Sequence, residues 1–197
     1  MLEFIGRTRL ISLQHLVPED SARILVKLEY ENPTGSMKDR MALAMVEAAE
    51  EIWEQTEGQV SAFVQSVGTA GSLRGVSASL RAHNEAVHIV AVEPEESAVL
   101  SGRPSGSHKI EGTGAGFVVP LWNETLADEI QTVSTQQAMA TARQLALHEG
   151  IFAGTSTGGN VAVALRIADR LGPDQTVVTV AVDSGMKYLS TELYSGT

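Results

Sequence analysis

The sequence predicts an α/β fold, a parallel sheet covered on both faces by helices in three layers, and three observations carry that expectation. Beyond residue 58, short β-type apolar runs alternate with segments of helical periodicity. Turns rich in glycine and small polar residues stand where such runs pass into helices, at 32–36, 68–72 and 154–159. The chain has 197 residues, 43% hydrophobic and 19% charged, a globular mixture long enough to bury a core.

The elements follow in chain order. Thr8 to Leu13 and Ile24 to Tyr30 are β-like, with the loop Val17-Pro18-Glu19-Asp20 between them. Asn32-Pro33-Thr34-Gly35 ends the second run, and Ser36 with Asp39 makes a capping-box arrangement for a helix. No Gly or Pro interrupts Met37 to Thr56, and Met41, Met45, Ala48 and Ile52 share one helical face, so one long helix is expected to end near Gly58. Ala62 to Val67 is a buried-type strand, and Leu73, Val76 and Leu80 mark the next helix. His88 to Val92 is a strand, and 101–117 a long loop. Ser134-Thr135-Gln136-Gln137 opens a helix that Gly150 stops. Ile151 to Ala153 reads as a short strand, Val161 to Leu171 as a helix and Thr176 to Val182 as a β-branched strand.

Composition narrows the function classes. With 24 acidic residues against 14 basic ones, the formal charge is −10, and no Lys/Arg run appears, which argues against nucleic-acid binding. There are no cysteines, so disulfides and thiolate metal sites are excluded, and no metal site is expected. No apolar run reaches bilayer length, and Met1 to Ile5 lacks the order of a signal peptide, so the expected location is the cytoplasm, away from membranes.

Three segments carry candidate chemistry. Lys38 sits in the expected first turn of a helix, where the macrodipole and partial burial both favour the neutral amine that attacks a carbonyl. A lone lysine at a helix start is ordinarily just exposed. Gly68-Thr69-Ala70-Gly71-Ser72 joins a strand to a helix, and its small residues let backbone N–H groups approach a phosphate, although glycines there often only make the turn. In Gly154-Thr155-Ser156-Thr157-Gly158-Gly159 a hydroxyl is available to a ring nitrogen, but local spacing favours N-capping of the helix that follows.

Taken in order, these segments resemble the cysteine synthase (O-acetylserine sulfhydrylase) and cystathionine β-synthase family of fold type II pyridoxal-phosphate enzymes. Asn32 to Arg40 is similar to that family's Asn-Pro-x-x-Ser-x-Lys-x-Arg segment, and Gly68 to Ser72 to its Gly-Thr-Gly-Gly-Thr phosphate cradle. Further likenesses run through Val92-Glu93-Pro94, Ser97 to Leu100, His108 to Phe117, Asp183-Ser184-Gly185 and Tyr188 to Thr191. The resemblance implies that Lys38 carries pyridoxal 5'-phosphate and acts in catalysis. It implies that Gly68, Thr69, Ala70, Gly71 and Ser72 hold the phosphate, and that Ser156 meets the pyridine nitrogen.

The chain departs from the family between Glu50 and Glu51. Members carry a further segment there of about a hundred residues, the bulk of a smaller domain, including the Thr-Ser-Gly-Asn-Thr-Gly loop that clamps the substrate carboxylate. The expectation is therefore a single large domain over residues 1–197, with the smaller domain largely missing. The resemblance implies β-elimination or β-replacement on O-acetylserine or a similar amino acid with sulfide as nucleophile, impaired by loss of the clamp. The alternative is a catalytically inactive, cofactor-binding or partner-binding remnant. The partner expectations are a small amino-acid substrate and either a homodimer or pairing with a full-length homologue. Ala70 stands for a cradle glycine, and Arg7 and Arg9 fall where the family has Gly-Asn-Thr-Pro-Leu.

Overall fold

The run Thr176-Val-Val-Thr-Val180 is β-branched at every position, which disfavours helix and suits a strand buried on both faces. In the computed structural model, which describes residues 6–32, 36–37 and 42–195 (42–46 by backbone alone), this segment is a central strand of a six-stranded sheet. The strands are β1 (Leu10–Ser12), β2 (Arg23–Lys27), β3 (Ala62–Ser66), β4 (His88–Pro94), β5 (Glu129–Val133) and β6 (Thr176–Val180). Their order is β1-β2-β6-β3-β4-β5. The five strands from β2 to β5 are parallel, and β1 adds to the edge antiparallel, pairing Ile11 with Val26.

Helices cover both faces. On one side α1 (Ala42–Gln55) and α2 (Gly71–His83) send Ala49, Ile52, Leu73, Val76 and Leu80 onto Leu25, Phe63, Ile89 and Val178. On the other, α3 (Thr135–Gln144) and α4 (Thr155–Leu171) set Ala138, Val161, Ala164 and Ile167 against Ile24, Val26, Val64, Val90 and Val177. Odd and even strand residues thus feed two separate cores, as the period of two requires. The three-layer α/β arrangement is the one expected. Among the described residues no helix is long and apolar enough to cross a membrane.

Several boundaries differ from expectation, each for a local reason. β2 ends at Lys27, and Glu29–Glu31 is a 3-10 turn whose Asn32 N–H returns to the Glu29 carbonyl. β5 was not expected: it is an edge strand, half-exposed over Glu129-Ile130-Gln131-Thr132, so its polar residues mask the β signal. Ile151 to Ala153 contributes only an isolated antiparallel bridge, Ala153 with Ser184. β6 ends at Val180 rather than Val182.

The largest correction concerns α4, which begins at Thr155 and not at Val161. Gly158 and Gly159 are helical. A Cβ on Gly158 would lie 2.0 Å from the Ala138 carbonyl oxygen, so this glycine permits the close crossing of α3 and α4 rather than making a turn. Ser134 does cap α3 with the reciprocal Gln137 bond, and Gly150, at φ 69°, ends the π-helical turn Leu145–Glu149 that follows α3. The expected Ser36–Asp39 box lies partly outside the described residues. Ser36 itself forms a bridge to Asp183.

Candidate functional site

In chain order β3, β4 and β5 step outward across the sheet, whereas β6 returns to the place between β2 and β3. Ligands of open parallel sheets bind beyond the carboxyl ends of the strands at such a reversal. Here that position is a cavity of ≈ 420 Å³, a volume typical of small-molecule sites, roughly 300–1,000 Å³.

All three sequence-predicted segments reach it. Ser36 and Met37 form one wall, and the Met37 N–H donates to the Val182 carbonyl at 2.8 Å. Lys38, the next residue, lies outside the described residues. Gly68, Thr69 and Ser72 form a second wall and Ser156 a third. Ala70 and Gly71 do not line the cavity. The Ala70 side chain is instead packed in the core beneath α2, so its methyl is not directed at a ligand. Its cost is conformational: at φ 67° it occupies the left-handed region, worth about 1–2 kcal/mol against an L-residue with a Cβ.

Gly68 has a specific reason to be glycine. A Cβ there would stand 2.3 Å from the backbone oxygen of Gly112, so the cradle and the 111–113 loop touch backbone to backbone. α2 opens beside them with an N-cap residue, Ala70, whose side chain cannot cap it, and only a long 3.4 Å contact from the Gly71 N–H to Thr69 Oγ1. Its first N–H groups and the positive end of its dipole therefore favour an anion.

The hydroxyl groups at the start of α4 do not cap that helix, contrary to the local reading. Thr155 Oγ1 accepts from the Glu111 N–H at 3.2 Å, and Thr157 Oγ1 from the Val182 N–H at 3.0 Å. Asn160 bridges the sheet, accepting from Ser66 N–H and donating to the Val180 carbonyl. Ser156, between them, is 2% exposed, and its Oγ has no hydrogen-bond partner among the described residues. A buried hydroxyl without a partner is costly and rare, which makes it a fitting contact for a ligand's ring nitrogen.

The sequence assigns no site role to several other residues of the cavity. Tyr188 Oη donates to Asp183 Oδ2 at 2.7 Å, and burial, reinforced by that hydrogen bond, pushes the phenol far above its usual range. Tyr188 is thus a neutral donor across the pH range of interest. A Cβ on Gly154 would meet both Asp183 Oδ1 and the Tyr188 ring at 2.4 Å, so glycine lets this pair close over the start of α4. Gln65, a buried amide in the apolar strand β3, also lines the cavity. A polar residue inside a buried strand was the signal available for it. Among the described residues no cluster of His, Asp or Glu is placed to hold a metal ion.

The strand order and the helices on both faces of the sheet are those of the large domain of fold type II pyridoxal-phosphate enzymes. The model of the pyridoxal-phosphate dependent enzyme family matches residues 1–50 and 44–183, and the chain belongs to that family. It is 30% identical to a cysteine synthase of Staphylococcus aureus, over 98% of this chain and 96% of that one. That alignment spans 297 positions, so at least 100 of them have no residue in a chain of 197. Among solved structures it is similar to O-acetyl serine sulfhydrylase isoform 3 of Entamoeba histolytica, with a TM-score of 0.90 and 28% identity over 100% of this chain and 91% of that one. It is also similar to O-ureido-L-serine synthase, with a TM-score of 0.89 and 26% identity over 100% and 95% of the two chains. The two matched pieces of the family model meet at 44–50, within α1.

Proposed function

We propose that residues 1–197 form one large domain that binds pyridoxal 5'-phosphate through Lys38 and retains the framework of cysteine synthase chemistry with impaired turnover. The observation that carries this reading is the convergence of Met37, the Gly68–Ser72 loop and the partnerless Ser156 hydroxyl on one cavity. Residues 68–72 hold the phosphate with α2 N–H groups, and Ser156 Oγ meets the ring nitrogen.

The reaction class this supports is β-replacement. Lys38 would hold the cofactor, and its amine, once freed, would take the α-proton of the substrate. The bound cofactor supplies the sink for the electron pair left behind. The net exchange would replace the acetate on the β-carbon of O-acetylserine by hydrosulfide, giving cysteine. A neutral serine at the ring nitrogen limits ring protonation and favours β-elimination over other carbanion chemistry. Positioning contributes heavily to such steps, and the family's carboxylate-clamping loop falls among the positions this chain does not have.

The test is a pyridoxal-phosphate titration of the purified chain, then borohydride reduction and peptide mapping. The reduced adduct is expected on the peptide that contains Lys38, and an adduct on any other lysine overturns the assignment. Sulfide-dependent turnover of O-acetylserine at rates normal for an enzyme, on the order of 10 s⁻¹, overturns the impairment.

A further inference from the structure

Gln65 is the fourth residue of β3 and is 1% exposed, on a strand whose neighbours Phe63 and Val64 belong to the two cores. It lines the cavity beside Gly68, Thr69 and Ser72. Its Nε2 lies 2.7 Å from Ser72 Oγ in the first turn of α2. Its Oε1 is buried and has no hydrogen-bond partner among the described residues. The strand thus presents a half-satisfied amide at the anion-favouring end of α2, and a buried amide is expected to have both ends satisfied.

The two ends of an amide are chemically exchangeable in this position. With Nε2 toward Ser72, the carbonyl oxygen is left partnerless beside a site built for an anion. With the ends exchanged, Ser72 Oγ–H donates to Oε1 over the same 2.7 Å contact, and the NH2 group takes the place of the orphaned oxygen as a donor. The exchanged form answers both problems as soon as an anion is present. It also engages the Ser72 hydroxyl proton, so the donor moves from the helix side to the strand side.

We propose that Gln65 is a phosphate-positioning residue of this chain, its amide N–H completing from β3 the cradle that α2 and Gly68–Ser72 form from the other side. This rests on the reading that the cofactor phosphate sits at 68–72, and it adds a ligand that the family-like loop motif does not contain.

The experiment compares pyridoxal phosphate with pyridoxal, which lacks the phosphate, on the unsubstituted chain and on Gln65→Leu and Gln65→Glu. Binding is read by titration, and the stability of the cofactor-free chains by thermal melting. Gln65→Leu removes an unsatisfied buried amide, so its cofactor-free form is expected to melt no lower than the unsubstituted chain. Its affinity for pyridoxal phosphate is expected to fall roughly ten- to hundredfold, the value of a hydrogen bond to a charged group, with pyridoxal binding unchanged. Gln65→Glu, which adds a carboxylate beside the phosphate, should weaken pyridoxal phosphate further still. An unchanged preference for pyridoxal phosphate over pyridoxal in Gln65→Leu overturns the proposal. So does an equal loss for both ligands, which marks a structural role. No preference in the unsubstituted chain overturns it together with the placement of the phosphate, whereas failure of the Lys38 assignment shows separately in the mapped adduct.

Discussion

Replacing Ser156 by alanine should stabilise the cofactor-free chain and weaken its hold on the cofactor. The side chain lies in the first turn of α4, 2% exposed, with an Oγ that has no partner among the described residues. Leaving a buried polar group unsatisfied costs about 1–3 kcal/mol, and alanine removes that cost. It leaves no closed void, because Ser156 borders the open cavity. Taking the lower half of the range, the gain is about 1–2 kcal/mol, which for a chain of this size raises Tm by roughly 2–8 °C. Cofactor works against this gain, since the variant lacks the hydroxyl that meets the ring nitrogen. Loss of one hydrogen bond of about 0.5–1.5 kcal/mol weakens binding roughly two- to tenfold. Ligand-linked stabilisation grows as RT ln(1 + [L]/Kd), so the advantage of the variant should shrink as cofactor is added. The assay is a set of thermal melts of both proteins across a cofactor titration. A cofactor-free Ser156→Ala chain that melts clearly below the unsubstituted one would refute the reasoning, because the hydroxyl would then be satisfied without ligand.

Two further outcomes follow from the same geometry. Gly68→Ala places a Cβ 2.3 Å from the Gly112 carbonyl oxygen, and backbone on one side must retreat to reach normal contact. Overpacking of this kind costs about 1–3 kcal/mol, so the variant should melt lower and also bind pyridoxal phosphate more weakly; unchanged affinity would detach the loop from the phosphate. The Arg170 guanidinium, with smaller help from His88 and Gln131 against some burial, holds the Glu129 carboxyl at about 2. Its folded value lies below its ordinary one, so its stabilisation is complete above about pH 4.5 and is lost as pH falls toward about 2. Arg170→Ala should flatten the acid dependence of Tm in that window, and equal slopes for the two proteins would contradict the coupling.

How much of this was legible beforehand depends on which residues report on neighbours and which only on themselves. Thr176 to Val180 and the Ser134–Gln137 cap carry local signals strong enough to place a strand and a helix start. β5 and the first turn of α4 failed for tertiary reasons. Glu129 and Gln131 are polar because β5 is an edge, and Gly158 is small because Ala138 crosses it. The loop 68–72 was recognised by its residue types, but the separation of its roles was not. Ala70 faces the core while Gly68, Thr69 and Ser72 face the cavity, and no spacing rule tells them apart. Gln65 was passed over because one polar residue in an apolar strand is easily read as tolerated noise.

The junction inside α1 explains how the fold persists without the segment its relatives carry. Consecutive helical residues point about 100° apart, and each adds about 1.5 Å of length. Glu50 and Glu51 therefore face different partners. Glu50 accepts from Ser79 Oγ at 2.5 Å and pairs with His83 Nε2 at 2.8 Å, and Trp53 stacks on the same imidazole at 4.8 Å. Glu51 pairs instead with Lys27 Nζ at 2.7 Å, and this fully buried lysine also donates to Gln55 Oε1 and the Thr8 carbonyl. Glu50 thus ties α1 to α2 and Glu51 ties it to β2, which fixes the helix in one rotation on either side of the junction. A join one residue longer or shorter would turn everything before it by about 100° relative to those anchors. Ala49 would then leave the core it shares with Ile52. At the other end Met37 is tied to Val182 at the cavity wall. Only residues 38–41 separate that tie from the start of α1 at Ala42. The register of the join thus sets the direction in which α1 leads back toward Met37 at the cavity wall.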